Sequence, residues 1–316
     1  LTTPTLAQRP TLSLIFVHVA VFLFGLAGLF GEWVGLPSTL IVLGRVAFGA
    51  IALLVILTAR RMPFRLNTTR DYGLLTVSGL ILAVHWVAFF QSIQVAGVAI
   101  GLITYATFPI VVTFLEPLFL KSPLTRTDIA LAFVTFGGAL FVIEDFTLGS
   151  EVTRGFLWGL LSSFTFALLS IFNKHNVGSY SGLVIALYQF VIATVVLLPA
   201  LWLADAPNGA LTSSRNLLLL LVLGVVFTAL AHSLFIQGLR QVRAQTASII
   251  ASLESVYGIV FSIVLLSDVP ALRTFIGGAV ILAAAMYSTL RQTAPDDPTP
   301  PFAVIAPYPT PDEERL

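Results

Sequence analysis

Residues 40–59 read LIVLGRVAFGAIALLVILTA, an apolar stretch interrupted by one charge, Arg45, and closed by the pair Arg60-Arg61. A bilayer's hydrocarbon core is about 30 Å thick and takes roughly 20 apolar residues at about 1.5 Å rise each. The stretch has that length. In lipid its backbone polar groups must bond to one another, so it reads as a membrane-crossing helix. Runs of the same kind recur along the chain: Leu12–Phe30, Tyr72–Val95, Val98–Leu120, Ile129–Ile143, Phe156–Phe172, Leu183–Leu203, Leu217–Leu239, Ala244–Leu266 and Phe275–Leu290. With 40–59 they make ten, and nearly all charges fall between them. The expected fold is an all-α polytopic membrane protein with ten transmembrane helices.

The composition points the same way. Hydrophobic residues make up 57% and charged residues 10%, against about 25% charged in soluble domains. Ten spans use roughly 200 positions, so any function must be built from the helices. A net charge of +1 gives no argument for nucleic acid. The sequence has no cysteine, which excludes disulfides, thiolate metal sites and cysteine nucleophiles. No HExxH, P-loop or nucleophile-elbow pattern is present. The expectation is a protein that is not an enzyme and has no cofactor and no metal. The first run is longer than a signal-peptide core and has no small-residue cleavage site after it, so it reads as helix 1. Residues 293–316 hold seven prolines and several acids and read as a flexible tail.

Lys and Arg collect in alternate loops. With the N-terminus inside, the inner loops receive Arg9, Arg60, Arg61, Arg65, Arg70, Lys121, Arg126, Lys174, Arg240, Arg243, Arg291 and Arg315. The outer loops receive Arg154, Arg215 and Arg273. This bias puts both termini in the cytoplasm; the expected location is the cell inner membrane.

The halves are related by an offset of 146 positions. Phe90-Gln91-Ser92-Ile93 matches Ile236-Gln237-Gly238-Leu239, and Thr107-Phe108-Pro109-Ile110-Val111 faces Leu253-Glu254-Ser255-Val256-Tyr257. Gly137-Gly138 roughly parallels Gly277-Gly278. The organisation is therefore an N-terminal segment (1–11), a first repeat (12–143), a second repeat (154–290) and the tail (291–316). Each repeat has five spans, so the second must enter the membrane upside down. Inverted repeats around a site near the midplane are a recurrent plan of secondary transporters.

Ten spans in two such units, with Ser252-Leu253-Glu254-Ser255-Val256-Tyr257 in helix 9, resemble the EamA-type branch of the drug/metabolite transporter (DMT) superfamily. Ser255 stands where that branch usually has proline. The first half keeps Pro109 at the matching place but has Phe108 instead of an acid. The sequence looks most like the YddG-type exporters of aromatic amino acids. The resemblance implies a central cavity lined by helices 1, 3, 4, 6, 8 and 9, with helices 5 and 10 at the periphery.

Within that frame the candidate substrate-binding residues are His85, Trp86, Tyr105, Trp158, His232, Gln237, Ser252, Glu254 and Tyr257, with Pro109 as a gate. Glu254 lies about ten residues into helix 9, hence ~15 Å deep. An intramembrane carboxylate must be paired, hydrated or protonated. It is either a contact for a substrate amino group, a proton carrier, or a structural bond to a neighbouring helix. His85 and His232 sit near mid-depth, and the repeat pairs His232 with Trp86. They are substrate contacts, proton relays or interhelix bonds. Gln91 and Gln237 occupy matching positions and bind substrate or staple helices. The aromatics Trp86, Tyr105, Trp158 and Tyr257 offer a stacking wall, or ordinary packing. Pro109 predicts a bend in helix 4. Glu116 reads as a snorkelling side chain. Arg45 reads as a structural brace with Glu32 as its candidate partner, because helix 2 is outside the expected lining set. The alternative is a carboxylate receptor. The functional expectation is a secondary transporter that exports amino acids, aromatic ones foremost, as a monomer. Other metabolites or drugs, or a channel or scaffold role, are the alternatives.

Overall fold

The computed structural model describes residues 10–120, 125–142, 150–242 and 244–292. The expected segments 1–9 and 293–316 lie outside the described residues, as does the side chain of Glu116. The described residues form ten rods: α1 (Leu12–Trp33), α2 (Ser38–Ala59), α3 (Thr69–Ala96), α4 (Val98–Phe119), α5 (Arg126–Val142), α6 (Glu151–Asn176), α7 (Gly182–Leu203), α8 (Ser214–Gly238), α9 (Ala244–Leu266) and α10 (Leu272–Gln292). Seven are long and apolar enough to span a bilayer, and α5, α9 and α10 contain shorter apolar stretches. Large side chains such as Phe133, Leu118 and Val264 are left exposed on the outer surface of the bundle, as lipid-facing positions require.

Local chemistry sets the helix ends. Thr68 and Asp71 form a reciprocal capping box at the start of α3. Ser150 and Ser181 accept hydrogen bonds from the third residue into α6 and α7. Gly97, at φ +85°, joins α3 to α4 through a single residue. That left-handed conformation suits glycine, and it folds α4 sharply back on α3. The glutamines matched by the repeat do matching work. Gln91 accepts from the Ser38 hydroxyl at the start of α2 (2.7 Å), and Gln237 accepts from the Gly182 amide at the start of α7 (3.1 Å). Each satisfies a polar group at a helix beginning.

The two five-helix units interlock. α1 packs on α8 and α9, whereas α6 packs on α3 and α4; α2 pairs with α7 and α5 with α10. This exchange has the two-fold character expected of inverted repeats. Glycines make the closest crossings. A Cβ on Gly155 would meet the Ala96 Cβ at 2.2 Å, and one on Gly238 would meet Val17 at 2.4 Å. Gly138 of α5 faces Val280, Ile281 and the Gly277 carbonyl of α10, so the parallel glycine pairs meet in space. On the face where α1 begins, Lys174 Nζ donates to the Leu239 and Val242 carbonyls. There Tyr180 also donates to Asp71 (2.6 Å).

Among the described residues four rods are irregular, α7 through a turn at Leu198-Pro199. α1 has a turn between Ala27 and Phe30. α4 is interrupted at Ala106-Thr107, immediately before Pro109, whose missing N–H leaves the Tyr105 carbonyl without its helical partner. At the break Thr107 Oγ1 donates to the Thr104 carbonyl and lies against the Ser163 hydroxyl, both at 2.8 Å. α8 contains a π-helical segment, Val225–Leu230.

Replacing Gly155 by alanine forces apart α3 and α6 at a backbone contact, whereas Gly137 has open space around its Cβ direction. Gly155→Ala should lower the melting temperature of the purified protein in detergent by several degrees, from an overpacking cost of about 1–3 kcal/mol. Gly137→Ala should leave it unchanged or raise it slightly, as alanine favours helix by about 0.5–1 kcal/mol.

Candidate functional site

The polar residues of the apolar runs converge at mid-depth. A cavity there is lined by Phe24 and Ala27 of α1, Arg45 of α2, Leu82, His85, Trp86 and Phe89 of α3, Tyr105 of α4, Phe166 of α6, His232 of α8 and Glu254 of α9. All six helices implied by the resemblance contribute. The correction concerns α2, which adds the guanidinium.

Arg45 is buried, with 2% of its surface exposed. It does not reach Glu32, which sits on an exposed position at the end of α1. Its Nε donates to Thr228 Oγ1 at 2.8 Å, and Nη2 lies 3.4 Å from the Phe227 carbonyl. Both partners belong to the π-helical segment of α8. Close approach of α2 and α8 permits this, since a Cβ on Gly224 would lie 2.6 Å from Phe48 and 2.9 Å from the Arg45 carbonyl. The guanidinium carbon stands 3.9 Å from the centre of the Trp86 ring, a cation–π contact strengthened by desolvation.

Glu254 lies across the same cavity, buried, with Arg45 and the Tyr105 side chain as its polar neighbours. Among the described residues no ion-pair contact within 4.0 Å joins Arg45 to Glu254. The cavity therefore presents a cation and an acid whose strongest bonding directions are not used on each other.

The histidines are held from behind. His85 Nδ1 is 3.0 Å from the Ser162 carbonyl of α6 and 3.0 Å from its hydroxyl. His232 Nε2 is 2.9 Å from Gln189 Oε1 of α7, and Gln189 Nε2 donates to Asn173 Oδ1 of α6 at 2.6 Å. The Trp86 and His232 rings meet edge-to-face at 5.3 Å. Tyr105, Phe89, Phe108 and Phe166 complete an aromatic wall with centroid spacings of 4.8–5.4 Å.

The structure gathers five of the sequence-selected residues, His85, Trp86, Tyr105, His232 and Glu254, around one cavity. The other selections stand apart from its lining. Trp158 lies on the exposed side of α6, 38% accessible, because a helix turns by about 100° per residue and the neighbouring Gly159 takes the face against Thr104. Tyr257 packs against Phe22 at the α1–α9 contact. Gln237 spends its carbonyl oxygen on α7. Ser252 is buried on α9, two residues before Glu254. Pro109 follows the break in α4. Sequence reading missed Thr228, Gln189 and Asn173 and set Arg45 aside. For Gln189 a signal existed: an amide in the middle of the run Leu183–Leu203.

The space open to a water molecule's centre inside this cavity is about 20 Å³, room for one or two waters. In this conformation the polar groups face one another across a nearly closed centre. A solute the size of an amino acid does not fit in this space.

The comparisons agree with this architecture. The EamA-like transporter family model matches the chain twice, over residues 11–144 and 153–290. Among similar proteins, an uncharacterized transporter YxxF of Bacillus subtilis is 23% identical over 90% of this chain and 92% of its own length. The pseudopaline exporter CntI of Pseudomonas aeruginosa is 29% identical over 79% of this chain and 86% of its own. A probable biotin transporter of Pseudomonas aeruginosa is 28% identical over 69% and 77%. A solved crystal structure, 16% identical, superposes with a TM-score of 0.67 over 91% of this chain and all of the other, which shows the shared fold. With both halves matched and the buried polar centre between them, the chain belongs to the EamA-like transporter family, and it is a multi-pass membrane transporter of small molecules.

Proposed function

We propose that the protein exports amino acids, aromatic ones foremost, across the cell inner membrane by alternating access, with both termini in the cytoplasm and one chain as the working unit. One observation carries this reading: Arg45 and Glu254 line the same cavity without a direct ion pair. In an opened form of the cavity a zwitterion bridges them. Its carboxylate meets the guanidinium, which binds carboxylates through two parallel hydrogen bonds, and its ammonium meets Glu254. Trp86, Phe89, Tyr105 and Phe166 offer an apolar wall to an aromatic side chain. The resemblance to YddG-type exporters supports the same substrate class. The named relatives, an exporter of pseudopaline and a probable transporter of biotin, support a second reading in which the cargo is another metabolite.

The direction and topology rest on the charge bias and the resemblance. A mobile Glu254 proton is one way of coupling export to an ion gradient, and Pro109, beside the break in α4, is the proposed hinge of the gate.

Counterflow of labelled amino acids in proteoliposomes tests the reading and separates a carrier from a pore. Phenylalanine and tryptophan should exchange, and competing metabolites without an amino group should exchange more slowly. Arg45→Gln should reduce phenylalanine exchange by about tenfold or more, the loss of one or two charge-assisted hydrogen bonds.

Trp86→Ala should likewise depress phenylalanine exchange, while Trp158→Ala should leave it within about twofold, since its ring lies outside the cavity. Glu254→Gln should slow exchange and flatten its pH profile. An unchanged profile would remove the carboxyl group from proton coupling.

A further inference from the structure

The two cavity histidines are each fastened by one nitrogen to an acceptor outside the cavity. The Ser162 carbonyl can only accept, so the His85 Nδ1 that faces it at 3.0 Å carries the hydrogen. The Gln189 amide is oriented by Asn173: its NH2 donates to Asn173 Oδ1, which turns its carbonyl oxygen to His232 Nε2 at 2.9 Å. That nitrogen therefore carries the hydrogen on His232. In a neutral ring the opposite nitrogen is an acceptor. Those opposite atoms are His85 Nε2 and His232 Nδ1. Among the described residues neither has a protein hydrogen-bond partner, and both rings line the cavity.

We infer that His85, His232 and Glu254 form a three-acceptor subsite for a primary ammonium group, set by the Ser162 carbonyl and by the Gln189–Asn173 pair. This inference rests on the proposed amino-acid reading and adds to it the chemistry by which the nitrogen end is selected. A primary ammonium has three N–H donors, and the subsite supplies one imidazole nitrogen from each repeat and one carboxylate. Arg45, a donor without an acceptor, lines the same cavity and takes the carboxylate of the solute. The neighbouring aromatic wall offers a competing mode: a quaternary ammonium needs no hydrogen bonds and is held by ring faces. The two modes rank the same ligands in opposite order. Gln189 is a positioning residue here, since it reaches solute only through His232.

The test uses the full-length protein in proteoliposomes and measures inhibition of labelled phenylalanine exchange by four analogues: phenylalanine, its N-methyl and N,N,N-trimethyl derivatives, and 3-phenylpropionate. The expected order is phenylalanine, then N-methyl, then trimethyl, with the trimethyl compound about tenfold or more weaker than phenylalanine. Gln189→Leu frees His232 to take either tautomer and should reduce the phenylalanine-to-trimethyl ratio at least about threefold. It should leave the inhibition constant of 3-phenylpropionate, which has no nitrogen, unchanged. Should that variant fail to fold, the wild-type series decides alone. Trimethyl-phenylalanine inhibiting as well as phenylalanine or better would overturn the three-acceptor subsite in favour of an aromatic cage while leaving the Arg45–carboxylate contact standing. Failure of phenylalanine itself to exchange would overturn both the subsite and the amino-acid reading.

Discussion

A guanidinium in the middle of a membrane protein organises this molecule. Arg45 cannot shed its charge into lipid, and at its depth in α2 it cannot reach either surface. The structure meets it from three sides: a hydroxyl and a carbonyl from the π-helical segment of α8, the face of Trp86 from α3, and the field of Glu254 from α9. Each of those elements must be placed correctly for the charge to be tolerated. The close α2–α8 crossing at Gly49 and Gly224 and the π-helical segment beside it bring these partners within reach of the guanidinium. The two charges line one cavity and act on each other through it without a direct ion pair among the described residues.

The inverted repeat supplies the geometry for this. Because α1 reaches across to α8 and α9, and α6 to α3 and α4, neither five-helix unit closes a cavity alone. The cavity belongs to their interface, and its polar groups come from both halves: His85 and Arg45 from the first, His232 and Glu254 from the second. The same exchange explains how a nearly closed centre can serve transport. Glycines bring helices of the two units into close contact, and four rods carry a turn, a break or a π-helical segment among the described residues, where bending is cheapest.

The sequence showed its architecture through physics that acts locally. Length, apolarity and the placement of charge fix ten rods, and the 146-residue offset fixes their grouping. The glutamines it singled out as paired are paired, though in capping helix starts. Depth, read from position along the runs, picked out Glu254, His85 and His232, which line the cavity. Rotation about the helix axis is not legible in the same way. Trp158 and Gly159 are neighbours in sequence, and the helical turn sends one outward and the other into the α4 contact. Thr228 carries no signal in an apolar run, because a hydroxyl can satisfy itself on its own helix; what makes it a partner is the π-helical widening beside Arg45.

The amino-acid chain by itself determined that the protein crosses a membrane ten times, that its two halves run in opposite senses and that an acid, a guanidinium and two imidazoles lie at depth, because the cost of exposing peptide groups and charges to hydrocarbon depends on composition and spacing alone. Only the tertiary structure decided that these groups share one cavity, that Arg45 belongs to it while Trp158 and Gln237 do not, and which nitrogen of each histidine is held back. Those outcomes depend on helix rotation, crossing distance and the partner behind each side chain, quantities that arise only when helices far apart in sequence pack together.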